Sequence, residues 1–165
     1  MSAKALIISS VVFVLIVVGL VFLFTSGQKP DARIVIYSAN SADKPKIEAG
    51  QTSADLGRMK VTDIKKADFS IKNSGTKPLQ ITEVNTSCHC TSAQIIYKTL
   101  TTPEYGMSNP AYYVTDIAPG DSATVRVIYK PSIMPVSGPV EREAYISTND
   151  PTNPRLIFSV RMDVQ

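Results

Sequence analysis

Residues 66–73 read KADFSIKN, and this short stretch decides the fold class. Apolar and polar side chains alternate along it around Phe69, which is the period of a β-strand with one buried and one solvent-exposed face. The same alternation returns in SATVRVIYK at 122–130 and in LIFSVRMDV at 156–164. One-sided alternation is typical of antiparallel sheets, so the sequence predicts an all-β domain.

Turn-forming residues separate these stretches from further strand candidates. NSG at 73–75, APGD at 118–121 and NDP at 149–151 favour tight turns. The weaker strand candidates are residues 33–37, 54–57, 79–84, 91–97, 112–117 and 142–148. Residues 98–111 show no such pattern and predict a long loop. Seven or more short strands between turns predict an antiparallel β-sandwich over residues 29–165.

A different pattern fills the N-terminus. Residues 5–24 read ALIISSVVFVLIVVGLVFLF, and no charged residue stands between Lys4 and Lys29. A helix of about 20 apolar residues spans a bilayer, so we predict one transmembrane helix that contacts the lipid bilayer through residues 5–24. A cleaved secretory signal remains an alternative because the small residues 25–27 follow, although the apolar core of such signals is usually only about 7–15 residues long.

Charge limits the partners and bears on the orientation. The 17 Lys and Arg against 14 Asp and Glu give a net charge of +3, which is too weak to predict nucleic-acid binding. Lys4 on one side of the apolar segment nearly balances Lys29 and Arg33 on the other. Because the downstream domain resembles a secreted module, we predict that the N-terminus of this single-pass cell-membrane protein is cytoplasmic. Residues 1–28 form its anchor and linker, and residues 29–165 form a sandwich outside the cytoplasm.

Six short motifs, taken in order, resemble one bacterial and archaeal family. They are FSIKNSG at 69–75, PLQI at 78–81, SCHCT at 87–91, IAPG at 117–120, VRVIYKP at 125–131 and STNDP at 147–151. Over about residues 47–165 the chain is similar to the domain of unknown function 1573, whose fold is related to ASH, major-sperm-protein and PapD-type domains. The resemblance implies an immunoglobulin-like sandwich that is exported or membrane-anchored, with no established enzymatic activity. The family usually has glycine where this chain has His89.

The segment Cys88-His89-Cys90 is the candidate site. Extended backbone would place the two cysteines on one face and His89 on the other. Thiolate and thioether ligands select Cu(I), and Met107 and Met134 lie in irregular segments where methionine is less expected than in a core. The sequence therefore predicts a solvent-accessible copper(I) site made by Cys88, Cys90, Met107 and Met134 at one end of the sandwich.

Two other interpretations of the cysteines stay open. They could form a disulfide outside the cytoplasm, although a bridge across one residue fits extended backbone poorly, or they could be buried apolar groups. GxSxG, Walker and HExxH motifs are absent, and His89 is the only histidine, so we predict no enzyme. The predicted function is a membrane-anchored binding or scaffold module for an unknown envelope protein, with copper(I) handling as the alternative.

Overall fold

The computed structural model describes residues 10, 12–20, 34–109 and 113–165. The chain divides into two units, Met1–Ala32 and Arg33–Gln165. In the first unit, residue 10 and residues 12–20 are helical. No helix among the described residues has the length and apolar character needed to cross a membrane. The rest of the predicted anchor at 5–24 lies outside the described residues, so the anchor stays a prediction.

The second unit is a sandwich of two sheets with five strands each among the described residues. The strands are β1 (Ile47–Ala49), β2 (Ser53–Met59), β3 (Lys65–Asn73), β4 (Leu79–Thr86), β5 (Thr91–Tyr97), β6 (Leu100–Thr101), β7 (Thr115–Ile117), β8 (Ser122–Tyr129), β9 (Gly138–Thr148) and β10 (Arg155–Val164). The first sheet has the order β1-β3-β8-β5-β6, and the second has the order β2-β10-β9-β4-β7. This confirms the predicted all-β sandwich. Pairing is antiparallel except between β2 and β10, which run parallel, so the prediction of a wholly antiparallel sandwich is wrong at that pair.

Alternation along the strands decides which side chains fill the core. In β3, Phe69 and Ile71 are buried while the residues between them face solvent, as the pattern predicts. In β10, Phe158 and Val160 are completely buried. The Phe69 ring of the first sheet contacts the Phe158 ring of the second, with 5.1 Å between the ring centroids. This pair joins the two sheets, since buried aromatic rings supply much of the apolar surface that holds a core together.

Some predicted elements differ from the observed ones. Residues 34–37 form no strand, and side chains bind the backbone of Val35 instead: Val35 N–H donates to Gln80 Oε1 at 2.7 Å, and Asn149 Nδ2 donates to the Val35 carbonyl at 3.3 Å. The predicted strand at 112–117 is reduced to β7, and residue 112 lies outside the described residues. The predicted loop at 98–111 contains the short strand β6.

The turn after β3 is closed by a buried asparagine. Asn73 is fully buried, and its Nδ2 donates to the carbonyls of Lys77 at 2.8 Å and Ile117 at 2.9 Å. Its Oδ1 accepts a hydrogen bond from Gly75 N–H at 3.0 Å. Gly75 passes so close to the preceding chain that a Cβ there would overlap the backbone of Lys44. The amide and the glycine together fix this turn.

The second sheet ends at β2, and the backbone of this edge strand is partly occupied. Lys65 Nζ donates to the carbonyls of Leu56 and Arg58. Gly57, at φ +65°, donates its N–H to Asp55 Oδ1 at 2.7 Å. The backbone of three consecutive residues of β2 is thus occupied by side chains, and one of the three has a positive φ. Such features keep an edge strand from pairing with other chains.

Candidate functional site

The cysteines lie in a turn between β4 and β5. β4 ends at Thr86 and β5 begins at Thr91, and Thr91 N–H donates to the Cys88 carbonyl at 3.2 Å. Thr86 Oγ1 donates to the same carbonyl at 3.1 Å and to the Thr91 carbonyl at 2.9 Å. The predicted extended backbone at Cys88-His89-Cys90 is therefore wrong, because these bonds close a turn there.

A disulfide joins Cys88 to Cys90, with an S–S distance of 2.06 Å and a Cα–Cα distance of 5.3 Å. In this oxidised form neither sulfur is a thiolate that could bind copper. The bridge closes a very small ring, so the chain-entropy relation assigns it only about 1.6 kcal/mol, roughly half the value for a 15-residue loop. The bridge therefore adds less to the stability of the domain than a disulfide that closes a longer loop would add.

Burial around the bridge alternates as in a strand, although the backbone turns. Cys88 is 8% exposed and Cys90 is 1% exposed, and both belong to the hydrophobic core cluster. His89 between them is exposed, as predicted. The predicted solvent accessibility of the two cysteines is wrong. Within the described ranges, no three His, Cys, Asp or Glu side chains cluster as metal ligands would.

Polar side chains contact each sulfur of the bridge. Arg142 of β9 donates from Nε to Cys90 Sγ at 3.4 Å. Thr91 Oγ1 lies 3.2 Å from Cys88 Sγ, and its hydroxyl is the donor because a disulfide sulfur carries no hydrogen. The same hydroxyl lies 4.0 Å from Cys90 Sγ, so the two sulfurs differ chiefly in the positive charge that Arg142 places beside Cys90.

A buried tyrosine adds a third polar group near the bridge. Tyr129 of β8 pairs in register with Thr91 and is completely buried. Its hydroxyl has no hydrogen-bond partner among the described residues. Burial raises the pKa of Tyr129, and the positive charge of Arg142 partly offsets that shift. The sequence offered no signal for Arg142 or Tyr129, since the pairing of distant strands brings Arg142 to Cys90 and Tyr129 to Thr91.

A depression of about 180 Å³ lies beside the turn. It is lined by His89, Cys90, Thr91, Ser92, Glu104, Gly106, Lys130 and Ile133. Lys130 Nζ and Ser92 Oγ both donate to Glu104 Oε2, at 2.7 Å and 2.6 Å. These two hydrogen bonds, the lysine's first, lower the pKa of Glu104 below its ordinary value. Three separate loops thus meet around one concave surface, and the Glu104–Lys130 ion pair forms part of its lining.

The two predicted methionine ligands follow residues of this depression directly. Gly106 and Ile133 line it, and Met107 and Met134 are the next residues along the chain. Met107 is 41% exposed and Met134 is 47% exposed. Both methionine-bearing loops therefore reach the same end of the sandwich as Cys90. The four-ligand copper(I) site itself stays a prediction.

Comparison with known proteins supports the fold. The family model described as "Protein of unknown function (DUF1573)" matches residues 47–162. A protein of unknown function from Porphyromonas gingivalis W83 is 23% identical at a TM-score of 0.57, over 74% of this chain and 48% of that one, so the match spans about half of its length. The ASH/PapD-like domain 7 of human CEP192 is 9% identical at a TM-score of 0.50, over 84% of this chain and 98% of that one. No curated protein matches the chain.

Proposed function

The chain belongs to the DUF1573 family, as its six motifs predicted, and from that premise we propose that its sandwich is a membrane-anchored binding module for a protein partner outside the cytoplasm. The observation that carries this proposal is the meeting of three loops around the depression beside the disulfide turn. In sandwich folds, loops gathered at one end form binding surfaces on a rigid scaffold.

The side chains at this loop end suit a protein partner. Ile133 is 53% exposed, and Met107 and Met134 are each a little under half exposed. Exposed apolar groups rimmed by polar ones mark interaction surfaces, and methionine adapts its shape to the surface that it contacts. The Glu104–Lys130 ion pair supplies a polar rim. We therefore expect a partner with apolar side chains that cover the methionines.

The edge strand β2 is a poorer candidate for the contact. Strand addition needs free backbone N–H and C=O groups along the edge. In β2 the carbonyls of Leu56 and Arg58 already accept from Lys65, and the Gly57 N–H is bonded to Asp55. This occupancy favours recognition through loops.

The disulfide supports the proposed compartment. Disulfides persist in oxidising environments and are rare in the reducing cytosol. A bridge between Cys88 and Cys90 therefore agrees with a domain outside the cytoplasm, held by residues 5–24 in the cell membrane. The proposed partner belongs to the same compartment, the cell envelope.

Site-specific photo-crosslinking in living cells tests the binding surface. We expect a crosslinker at Met134 to capture a discrete protein, whereas one at Ile157 of β10 captures none. Ile157 is a matched control because it is apolar and 48% exposed, close to the 47% of Met134. Identical products at both positions, or no product at Met134, would remove the loop end as the binding surface.

Membrane fractionation tests the anchor and the orientation. We expect the chain to stay in the membrane pellet after an alkaline carbonate wash, and residues 33–165 to be digested by protease added to spheroplasts. A mature chain that begins near Gln28 would instead show a cleaved signal. A domain protected from protease would reverse the orientation.

Copper(I) handling is the second candidate, and it applies to the reduced protein. The observation in its favour is that the loops carrying Met107 and Met134 line one depression with Cys90. We expect the full chain, purified reduced and anaerobically, to bind copper(I), and the Cys88→Ser, Cys90→Ser double variant to lose it. Equal copper(I) affinity in both proteins would exclude the site.

A further inference from the structure

We propose that the Cys88–Cys90 disulfide is a thiol–disulfide exchange site whose substrate is a dithiol of another protein in the same compartment. Cys88 is the sulfur that is attacked, and Cys90 is the sulfur that leaves. This activity goes beyond the proposed binding function and does not depend on the loop surface around Met134.

The positive charge beside Cys90 assigns the leaving sulfur. Cleavage of a disulfide places negative charge on the departing sulfur, and exchange is faster when that charge is stabilised. Arg142 Nε already donates to Cys90 Sγ at 3.4 Å. Among the described residues, the hydrogen-bond partner of Cys88 Sγ is the neutral hydroxyl of Thr91 at 3.2 Å, which also lies 4.0 Å from Cys90 Sγ. The arginine therefore favours departure of Cys90 over departure of Cys88.

The exposure of the two residues agrees with attack at Cys88, the other end of the bridge. Cys88 keeps 8% of its surface in contact with solvent, against 1% for Cys90. Ser87 and His89, the residues on either side of Cys88, are both exposed. Ser87 and Cys90 bond to Glu143 and Lys130 of neighbouring segments, whereas the Cys88 carbonyl is held within the turn by Thr91 and Thr86. A local opening that breaks these bonds within the turn would expose Cys88 while β4 and β5 stay paired.

The exchange balances without any further reagent. A thiolate of the substrate attacks Cys88 Sγ, the S–S bond breaks, and its electron pair passes to Cys90 Sγ beside Arg142. The second thiolate of the substrate then attacks the substrate sulfur of the mixed disulfide and releases Cys88 as a thiolate. The substrate dithiol is oxidised to a disulfide by two electrons, and the Cys88–Cys90 bridge is reduced by the same two.

The mode of opening is tested with dithiothreitol as the dithiol probe on the full chain in detergent. Free thiols are counted by a maleimide mass shift over time. We expect the opening rate to rise in proportion to the dithiothreitol concentration and to be unaffected by urea below the unfolding transition. A purely structural bridge gives the opposite result: its rate levels off at the rate of global unfolding and rises with urea.

The role of the arginine is tested by paired substitutions. We expect Arg142→Met to open at least about tenfold more slowly, as the loss of a charge-assisted hydrogen bond to the departing sulfur implies, and Arg142→Lys to recover part of the rate. Arg161→Met is the matched control. Arg161 lies on β10, next to β9, and pairs with Glu141, so we expect its replacement to leave the rate unchanged. Equal rates for Arg142→Met and Arg161→Met overturn the proposal.

The attacked sulfur is identified in the unaltered chain, so this test does not depend on whether a variant folds. Reduced glutathione serves as a monothiol probe, and N-ethylmaleimide then caps the sulfur that has left. Peptide mass spectrometry is expected to find glutathione on Cys88 and N-ethylmaleimide on Cys90. Glutathione on Cys90, or equal amounts on both cysteines, overturns the assignment.

Discussion

Replacing Asp150 with asparagine probes a buried carboxylate that links β1 to the turn after β9. Asp150 is completely buried. Its Oδ2 accepts from Ile47 N–H at 2.9 Å, and its Oδ1 accepts from Thr152 N–H at 2.8 Å and from Thr152 Oγ1 at 2.7 Å. Asparagine has nearly the same shape but only one acceptor oxygen, so its NH₂ group must face at least one of these donors.

The expected cost follows from the bonds that asparagine cannot keep. Hydrogen bonds to a charged group contribute about 1.5–3 kcal/mol each, and a donor left unpaired in the interior adds a desolvation penalty. Asp150→Asn loses the bond to Ile47 and weakens the two bonds from Thr152. We therefore expect it to lower the free energy of unfolding by about 2–4 kcal/mol at neutral pH.

The same contacts set the pH dependence of that cost. Burial alone would raise the pKa of Asp150, but the hydrogen bonds from Thr152 and Ile47 outweigh burial and lower it below the ordinary 3.8. A lowered native pKa means that the carboxylate stabilises the fold above the unfolded value, and that this contribution is lost as the pH falls through the native value. The difference between the unaltered protein and Asp150→Asn should therefore shrink below about pH 3.8.

Urea unfolding of residues 33–165, followed by circular dichroism from about pH 7 to about pH 3, measures both effects. Asp163→Asn is the control, since that carboxylate is 44% exposed and its ion pair with Arg58 is long at 3.8 Å, so we expect a change within about 0.5 kcal/mol. A loss below about 1 kcal/mol for Asp150→Asn at neutral pH, or a difference that is the same at both ends of the pH range, would refute the reasoning.

Further substitutions test the core and the turns by the same urea assay. Phe69→Ala and Phe158→Ala should each lower the free energy of unfolding by about 3–5 kcal/mol. Because the two rings touch, the double variant should lose less than the sum of the single losses, and full additivity would contradict the contact. Gly75→Ala should destabilise strongly because its Cβ overlaps neighbouring backbone, whereas Gly106→Ala has open space and should stay within about 0.5 kcal/mol. Tyr129→Phe removes a buried, unpaired hydroxyl and should be neutral or stabilising by up to about 1 kcal/mol; a clear loss would reveal a partner.

The strands that the sequence predicts well are those whose two faces differ most. The alternation around Phe69 and Phe158 places the buried faces correctly because one side of each strand meets the opposite sheet. Residues 34–37 have equally good strand composition, yet two side-chain amides bind Val35 and no strand forms. Composition indicates which backbone conformation a segment prefers. The hydrogen-bond partners of its backbone depend on residues far away in the chain.

The candidate site could be located from the sequence but its chemistry could not. Serine, cysteine and histidine at 87–90 carry no strong turn signal, and His89 stands where the family usually has a glycine, which would have indicated a turn. The contact between Arg142 and Cys90 depends on the pairing of β4 with β9, which brings together residues far apart in the chain. Short-range sequence patterns therefore identified the two cysteines but could not identify Arg142 as the charged residue beside them.

The position of β10 has a kinetic consequence. This strand is the last of the unit in chain order, yet it lies inside the second sheet, between β2 and β9. Ser53 near the start of the unit pairs with Ser159 near its end, so β2 has no ladder until β10 arrives. Pairing between residues so far apart in the chain makes folding slow. The second sheet therefore closes only after the last strand of the unit is available, and until then the residues of β2 have no strand to pair with.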